Sequence, residues 1–313
     1  MSTPLHNQQM EQNVLPPITP ALIQRVREGL AASRDRTVRQ SIQGAIDSVE
    51  AIAVGGADRR ASGSLRRRVI RALIHSLFRV RVEYPERIPK GPAMLTPNHL
   101  NHIDPFLLLS EVPTHPYYYI LADARTLYNR WWKRQILGFS GGVIPLERRW
   151  GEEIAVIEAA KAGRNELGEL AAAVEQDVPS GADIKTLRWI DRAVQAIFAR
   201  GDGIVIFPEG RLGTVEGQLK LPLARGAAIY ALRAGVPIVP IALIGTQDLY
   251  LGKELTIRFG EPLCFPQSDR PKPQDVKTAL EVLQEALMEL LPRDYQEPNE
   301  PKLLRYFLNH LFW

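Results

Sequence analysis

The chain is almost without cysteine: Cys264 stands alone among 313 residues. One thiol can build neither an intramolecular disulfide framework nor a cysteine-rich zinc site, and it fits a reducing compartment. No window reaches the run of about 18 uninterrupted apolar residues that a membrane span needs. The nearest, AAIYALRAGVPIVPIALIG, is broken by Arg233, Pro237 and Pro240. It reads as a helix, a turn and a buried strand. The opening MSTPLHNQQMEQNV has neither a basic start nor an apolar stretch, so no signal peptide is expected. No internal repeat is visible. Strong charge of either sign is also missing: 39 Lys and Arg face 35 Asp and Glu, for a formal +4 and a pI of about 9.2. That mild basicity suits an anionic partner, whether nucleic acid, an anionic membrane or a phosphorylated substrate, and does not choose among them. What is present is an ordinary globular balance, 45% hydrophobic and 24% charged, enough to bury a sizeable core.

Residues 1–18 are polar and without period, and read as a disordered tail. Thr19-Pro20 gives an N-cap and a first-turn proline for a helix to about Ser33, and a second helical pattern runs from Val38 to about Val54. Residues 1–60 are therefore a tail plus a helical appendage, closed by the linker GGADRRASGS. Residues 61–78 read as a basic amphipathic helix. Val69, Ile70, Leu73, Ile74, Leu77 and Phe78 fall on one half, and Arg68, Arg71, His75 and Arg79 on the other. Two readings stand: a helix packed on its own domain, or one lying on a membrane with its arginines toward anionic headgroups. The C-terminal stretch, residues 293–313, reads as another amphipathic helix, with Leu303, Leu304, Phe307, Leu308, Leu311 and Phe312 on one face and Tyr306 and Trp313 beside it.

Between these, residues 79–292 alternate strands and helices. Strands are expected at Val80–Glu83, Ala93–Pro97, Tyr118–Ala122, Gly142–Pro145, Gly203–Phe207, Ile238–Ile244 and Leu255–Phe259. Helices are expected at Asp104–Ser110, Arg125–Ile136, Leu187–Ala199 and Ala224–Ala234, with a late amphipathic helix over 273–291. Continuous apolar runs such as IVIF suit strands buried on both faces. The expected fold class is α/β: a single mixed, largely parallel sheet flanked by helices, with the N-terminal helical appendage. Residues 151–186 are helical in composition and read as an insertion.

Four stretches could carry chemistry. PNHLNHIDPF, residues 97–106, follows a strand, where sites in α/β sheets usually lie. Asp104-Pro105 reads as an N-cap and first helical residue. On a continuous helix His99 and Asp104 would lie about 140° apart. With His99 in the loop they can turn toward each other, and a carboxylate beside an imidazole makes a general base. A metal site of His99, His102 and Asp104, and a purely structural cap, are the competing readings. IVIFPEGRLGTVEGQLK, residues 204–220, runs from a strand into a glycine-rich turn, with Arg211 and Lys220 placed to meet a phosphate. GGVIPLERR, residues 141–149, offers Arg148 or Arg149 as a second anion contact, against a solvated charge run. VPIVPIAL, residues 236–243, reads as a buried strand shaping the site.

Together these residues resemble the glycerolipid acyltransferase family, of which the 1-acylglycerol-3-phosphate acyltransferases are the best-known members. Its four blocks stand here in order: Asn98-His99 to Asp104; Gly142, Ile144 and Arg148; Phe207-Pro208-Glu209-Gly210-Arg211; and Val236-Pro237-Ile238-Val239-Pro240. Arg225-Gly226 matches the basic residue and glycine that follow the third block. The third block departs from the usual Glu-Gly-Thr-Arg, in a form that resembles the lysophosphatidylethanolamine acyltransferase branch.

The resemblance implies transfer of a fatty acyl group from acyl-CoA or acyl-carrier protein to the hydroxyl of lysophosphatidic acid. Glycerol-3-phosphate or another lysophospholipid is the alternative acceptor, and a His/Asp metal-dependent hydrolase the alternative of another class. By matching position, His99 would be the base and Asp104 its orienting partner. Arg148, Glu209, Gly210, Arg211 and Arg225 would hold the acceptor. No cofactor, metal or nucleic acid is implied, and the expected location is cytoplasmic, peripheral on the inner face of a membrane.

Overall fold

The computed structural model describes residues 15–56, 61–181 and 183–311. Most of the tail expected over 1–18, and the final Phe312 and Trp313, lie outside them. In chain order the elements are α1 (Pro20–Arg34), α2 (Arg36–Ala53), α3 (Gly63–Leu77), β1 (Arg79–Glu83), β2 (Met94–Pro97), α4 (Asp104–Glu111) and β3 (Tyr118–Asp123). Then come α5 (Ala124–Tyr128), α6 (Trp131–Ser140), β4 (Val143–Leu146), α7 (Gly151–Lys161), α8 (Gly168–Asp177) and α9 (Ile184–Ala199). The last are β5 (Gly203–Ile206), α10 (Gly226–Ala234), β6 (Ile238–Ile244), β7 (Glu254–Phe259), α11 (Pro273–Leu290) and α12 (Arg305–Leu311).

The chain divides into two compact units. One gathers residues up to Gln43 with Asp123–Arg134 and Leu146–Leu187. It is helical, and its core joins Leu22, Val26 and Leu30 of α1 to Val156 and Ile157 of α7 and Ala171 and Val174 of α8. Thr19 starts α1 as expected, accepting from the Leu22 N–H at 3.2 Å. The helix expected over 125–136 is two helices. The Lys133 ammonium and the Arg134 guanidinium bond the carbonyls of Thr126 and Tyr128, so side chains satisfy the end of α5 in place of a continuing backbone ladder. Arg125 is buried here, donating to both Glu153 oxygens at 2.5 and 2.9 Å beneath the Trp150 ring.

The second unit, Gly44–Ala122, Gln135–Pro145 and Arg188 onward, holds the sheet. Its seven strands run in the order β1-β7-β6-β2-β5-β3-β4. The pairs β1–β7, β2–β5, β2–β6 and β3–β5 are parallel, and β6–β7 is antiparallel, so the sheet is mixed and largely parallel. β2, β5 and β6 are buried along their whole length, which is why β5 and β6 are unbroken apolar runs and the one polar side chain of β2, Thr96, bonds the Val239 carbonyl. β2 and β5 are parallel neighbours, Met94 opposite Ile204 and Leu95 opposite Val205. Their carboxyl ends therefore open side by side, and the loops that leave them meet.

One expectation is narrowed and one corrected. α3 forms where expected, but part of its basic face is not free. The Arg67 guanidinium donates to the carbonyls of Ser110 and Glu111 at the end of α4, and Arg71 and His75 pair with the Glu111 carboxylate. Arg66 is buried, its guanidinium 3.6 Å over the Tyr117 ring and bonded to the Tyr118 carbonyl at 3.0 Å. Among the described residues the C-terminal stretch is helical only over Arg305–Leu311. Pro298 and Pro301 supply no backbone donors and hold the preceding chain out of a helix.

Candidate active site

Asn98, the first residue past β2, extends the sheet with a side chain. Its amide donates to the Leu243 carbonyl at 3.0 Å, and its carbonyl accepts the Leu243 N–H at 2.7 Å. This double bond to β6 fixes the direction in which the next residue leaves. An apolar replacement strands both Leu243 groups in the core, at roughly 1–3 kcal/mol each. Asn98→Leu is therefore expected to lower the denaturant midpoint by an amount equal to about 2–6 kcal/mol, and an unchanged midpoint would remove this bridge from the account.

The His99 ring lies against the start of α4. Its Nδ1 is 2.9 Å from Asp104 Oδ2, and the same oxygen accepts the N–H of Leu100 at 2.7 Å and of Asn101 at 2.9 Å. A carboxylate oxygen that accepts from backbone can only accept from the ring too. Nδ1 therefore carries the proton, and Nε2 is the basic nitrogen. Asp104 is fully buried and is the first residue of α4, with Ile103 at the cap position. The expected capping geometry is thus reversed: the carboxylate turns back to gather the loop 99–101 instead of capping α4 forward. His102 stands edge-on to His99, ring centroids 6.4 Å apart. Among the described residues no three His, Cys, Asp or Glu side chains converge as a metal site.

The loop after β5 closes the other side. The Phe207 ring stacks on His99, centroids 4.1 Å apart. The Gly210 N–H bonds the Phe207 carbonyl at 3.0 Å, and Gly210 takes φ +63°, a left-handed turn that an L side chain strains. Glu209 is buried and uses both oxygens on backbone: one accepts the His99 N–H at 2.7 Å, the other the Lys220 N–H at 2.7 Å. Burial pushes its carboxyl above the usual carboxylate range, against those two donors. Gly213 donates to the His99 carbonyl, and a Cβ there would stand 2.9 Å from Leu100. The loop 207–223 thus grips both backbone groups of His99.

Of the residues expected to hold an acceptor, Glu209 and Gly210 shape this loop. Arg211 and Arg225 are exposed on it. Arg211 reaches the Leu221 carbonyl at 3.4 Å, and Arg225 has no side-chain hydrogen bond or ion pair among the described residues. Lys220 reaches the Leu212 carbonyl at 3.4 Å. Arg148, after β4, belongs to the helical unit, where its carbonyl accepts from Arg125 at 2.8 Å. Phe207, Gly213 and the bridging role of Asn98 went unread as site features. Asn98 and Phe207 lie inside the motifs, but their partners are far along the chain.

The geometry is that of an oriented base beside exposed cations, at the carboxyl edge of a sheet. A structural comparison finds the 1-acyl-sn-glycerophosphate (LPA) acyltransferase PlsC from Thermotoga maritima. It has 16% identity and a TM-score of 0.41, over 87% of this chain and 89% of that one. A protein-family model described as Acyltransferase matches residues 79–244, more than half of the chain and all four motifs. The chain belongs to the glycerolipid acyltransferase family and is an acyltransferase.

Proposed function

We propose that the enzyme moves a fatty acyl group from acyl-CoA or acyl-carrier protein to the free hydroxyl of lysophosphatidic acid, at the cytoplasmic face of an anionic membrane. The observation that carries this reading is the hydrogen bond from His99 to Asp104, beside a loop bearing Arg211, Lys220 and Arg225. His99 Nε2 takes the hydroxyl proton as the acceptor oxygen attacks the thioester carbonyl. The tetrahedral intermediate collapses to the ester and expels the thiolate, which recovers the proton from His99. Asp104 balances the imidazolium between these steps. The thioester is already activated, so positioning and base catalysis suffice without an acyl-enzyme. Exposed guanidinium groups on the 207–225 loop match a phosphate monoester in charge and geometry, and Arg148 is proposed as a further phosphate contact.

The test is a panel of acceptors, namely lysophosphatidic acid, lysophosphatidylethanolamine and glycerol-3-phosphate, each with acyl-CoA and with acyl-carrier protein. Thiol release is read alongside ester formation. Lysophosphatidic acid is expected to give the highest kcat/KM, and Arg225→Gln to raise its KM about tenfold with little change in kcat. Preference for a headgroup-bearing lysophospholipid would move the assignment to that acceptor, and thiol release without ester would end it.

A further inference from the structure

α3 buries only one sector. Ile70 and Ile74 face the domain, whereas Leu65, Val69 and Leu73, each a turn apart, are exposed. A second group of exposed apolar side chains lies at the C-terminal end: Leu303, Leu304, Tyr306 and Phe307. The turn at Leu251 joins the two groups. The Leu251 N–H bonds the Leu303 carbonyl at 2.9 Å, the Gly252 N–H bonds the Leu77 carbonyl, and Leu251 itself is exposed.

This outward presentation is built in. The C-terminal segment is anchored by the fully buried Lys253, whose ammonium meets both Glu297 oxygens at 2.9 Å. Asp248 adds pairs with Lys302 and Arg305, and Asn309 makes a double bond to the Leu249 backbone. Leu304 is held at φ +57°, an uncommon conformation for leucine that costs of order 1 kcal/mol or more. A segment this firmly held, with Leu308 alone fully buried among its described large apolar residues, is not shielding its leucines from water.

Exposed cations flank the ridge, with the exposed carboxylates Glu254 and Glu300 among them. The Arg71 side chain is 43% exposed over a Glu111 that is 5% exposed, and Arg81 is 63% exposed over a Glu83 that is 16% exposed. Cationic ends face solvent, and their carboxylates lie behind. Arg68, beside Leu65 on α3, is exposed with no ion-pair partner among the described residues. Apolar side chains flanked by outward cations match the boundary between acyl chains and anionic headgroups.

We infer that α3, the Leu251 turn and the segment Leu303–Phe307 form one lipid-docking ridge that inserts apolar side chains into an anionic bilayer surface. This rests on the proposed lipid substrate, and it refines the membrane reading of α3. Leu65, Val69 and Leu73 enter the lipid, while Arg67 and Arg71 hold the helix to α4.

The test uses the full chain and vesicles of phosphatidylcholine with or without phosphatidylglycerol, read by co-sedimentation. Transfer to a short-chain acceptor below its micelle concentration is measured in parallel. The triple variant Leu65→Ser/Val69→Ser/Leu73→Ser and the pair Leu303→Ser/Phe307→Ser should each weaken binding to the anionic vesicles about tenfold or more. Both should keep transfer to the soluble acceptor. Arg68→Glu should weaken binding to anionic vesicles only. In case the serine variants lose their fold, Val69→Trp gives a second reading: its emission should shift to the blue when vesicles are added. Undiminished binding by folded serine variants, or no vesicle-induced shift for Val69→Trp, overturns the ridge. So does a dimer that the same variants dissociate. Failure of the wild type to bind vesicles while it still acylates the soluble acceptor overturns the ridge and leaves the reaction standing. Vesicle binding with no transfer to any acceptor does the reverse.

Discussion

His99→Ala is expected to lower acyl transfer by about 10²–10⁴-fold or more, through kcat, with the fold retained. The backbone of residue 99 is held from both sides independently of the ring: its N–H is bonded by Glu209 and its carbonyl by Gly213. Asp104 Oδ2 keeps the N–H groups of Leu100 and Asn101 when the imidazole is removed. The ring is partly exposed, at 16% for the side chain, so its loss opens a notch at the surface of the site more than a cavity in the core. The expected fall in stability is therefore small, about 1–2 kcal/mol, from the lost face of Phe207 and one hydrogen bond. The measurement is single-turnover ester formation with thiol release followed in parallel, beside a denaturant melt. A folded alanine variant that transfers at the wild-type rate would sink the base assignment, and the cations of the 207–225 loop would then have to carry catalysis unaided.

All seven strands were legible because their signal is local. Apolar runs bounded by proline and glycine place β2, β5 and β6 to within a residue. The four motifs were legible for the same reason, each being contiguous. What escaped depends on which distant segment lies alongside. The periodicity of α3 gives the angle between Ile70 and Arg67, but not which sector meets α4. It is Glu111, some 40 residues on, that pairs with Arg71. Residues 151–186 read as an inserted helical excursion. That α7 and α8 share a core with α1 needed contacts across more than 100 residues. Glu209 was read as an acceptor ligand from its place in a motif, whereas both its oxygens are committed to backbone N–H groups on two different segments. Asp104-Pro105 carries a strong capping signal, and α4 does begin there, yet the carboxylate looks backward because His99, Leu100 and Asn101 offer three donors together.

That convergence makes Asp104→Asn unusually informative. All three donors meet one oxygen, Oδ2, and Oδ1 has no hydrogen-bond partner among the described residues. An asparagine whose amide oxygen takes the Oδ2 position keeps every bond. The opposite orientation would press an amide NH2 against two backbone N–H groups, so the oxygen is held where it is needed. The His99 tautomer survives, and what is lost is the negative charge opposite the forming imidazolium. Without that charge the imidazolium forms less readily in the transition state, so transfer should fall by about 10–10³-fold in kcat. Stability should fall by about 1–3 kcal/mol, because the new amide protons point where nothing accepts them. Asp104→Ala removes the acceptor as well as the charge. Two buried N–H groups are stranded and the ring is freed, so both activity and stability should drop further than in the asparagine variant. The pair separates two roles. If the asparagine variant keeps wild-type kcat while the alanine variant is dead, Asp104 acts by geometry alone. If both fall by the same factor with folds intact, the charge opposite His99 accounts for the whole effect, and the backbone hub serves stability only.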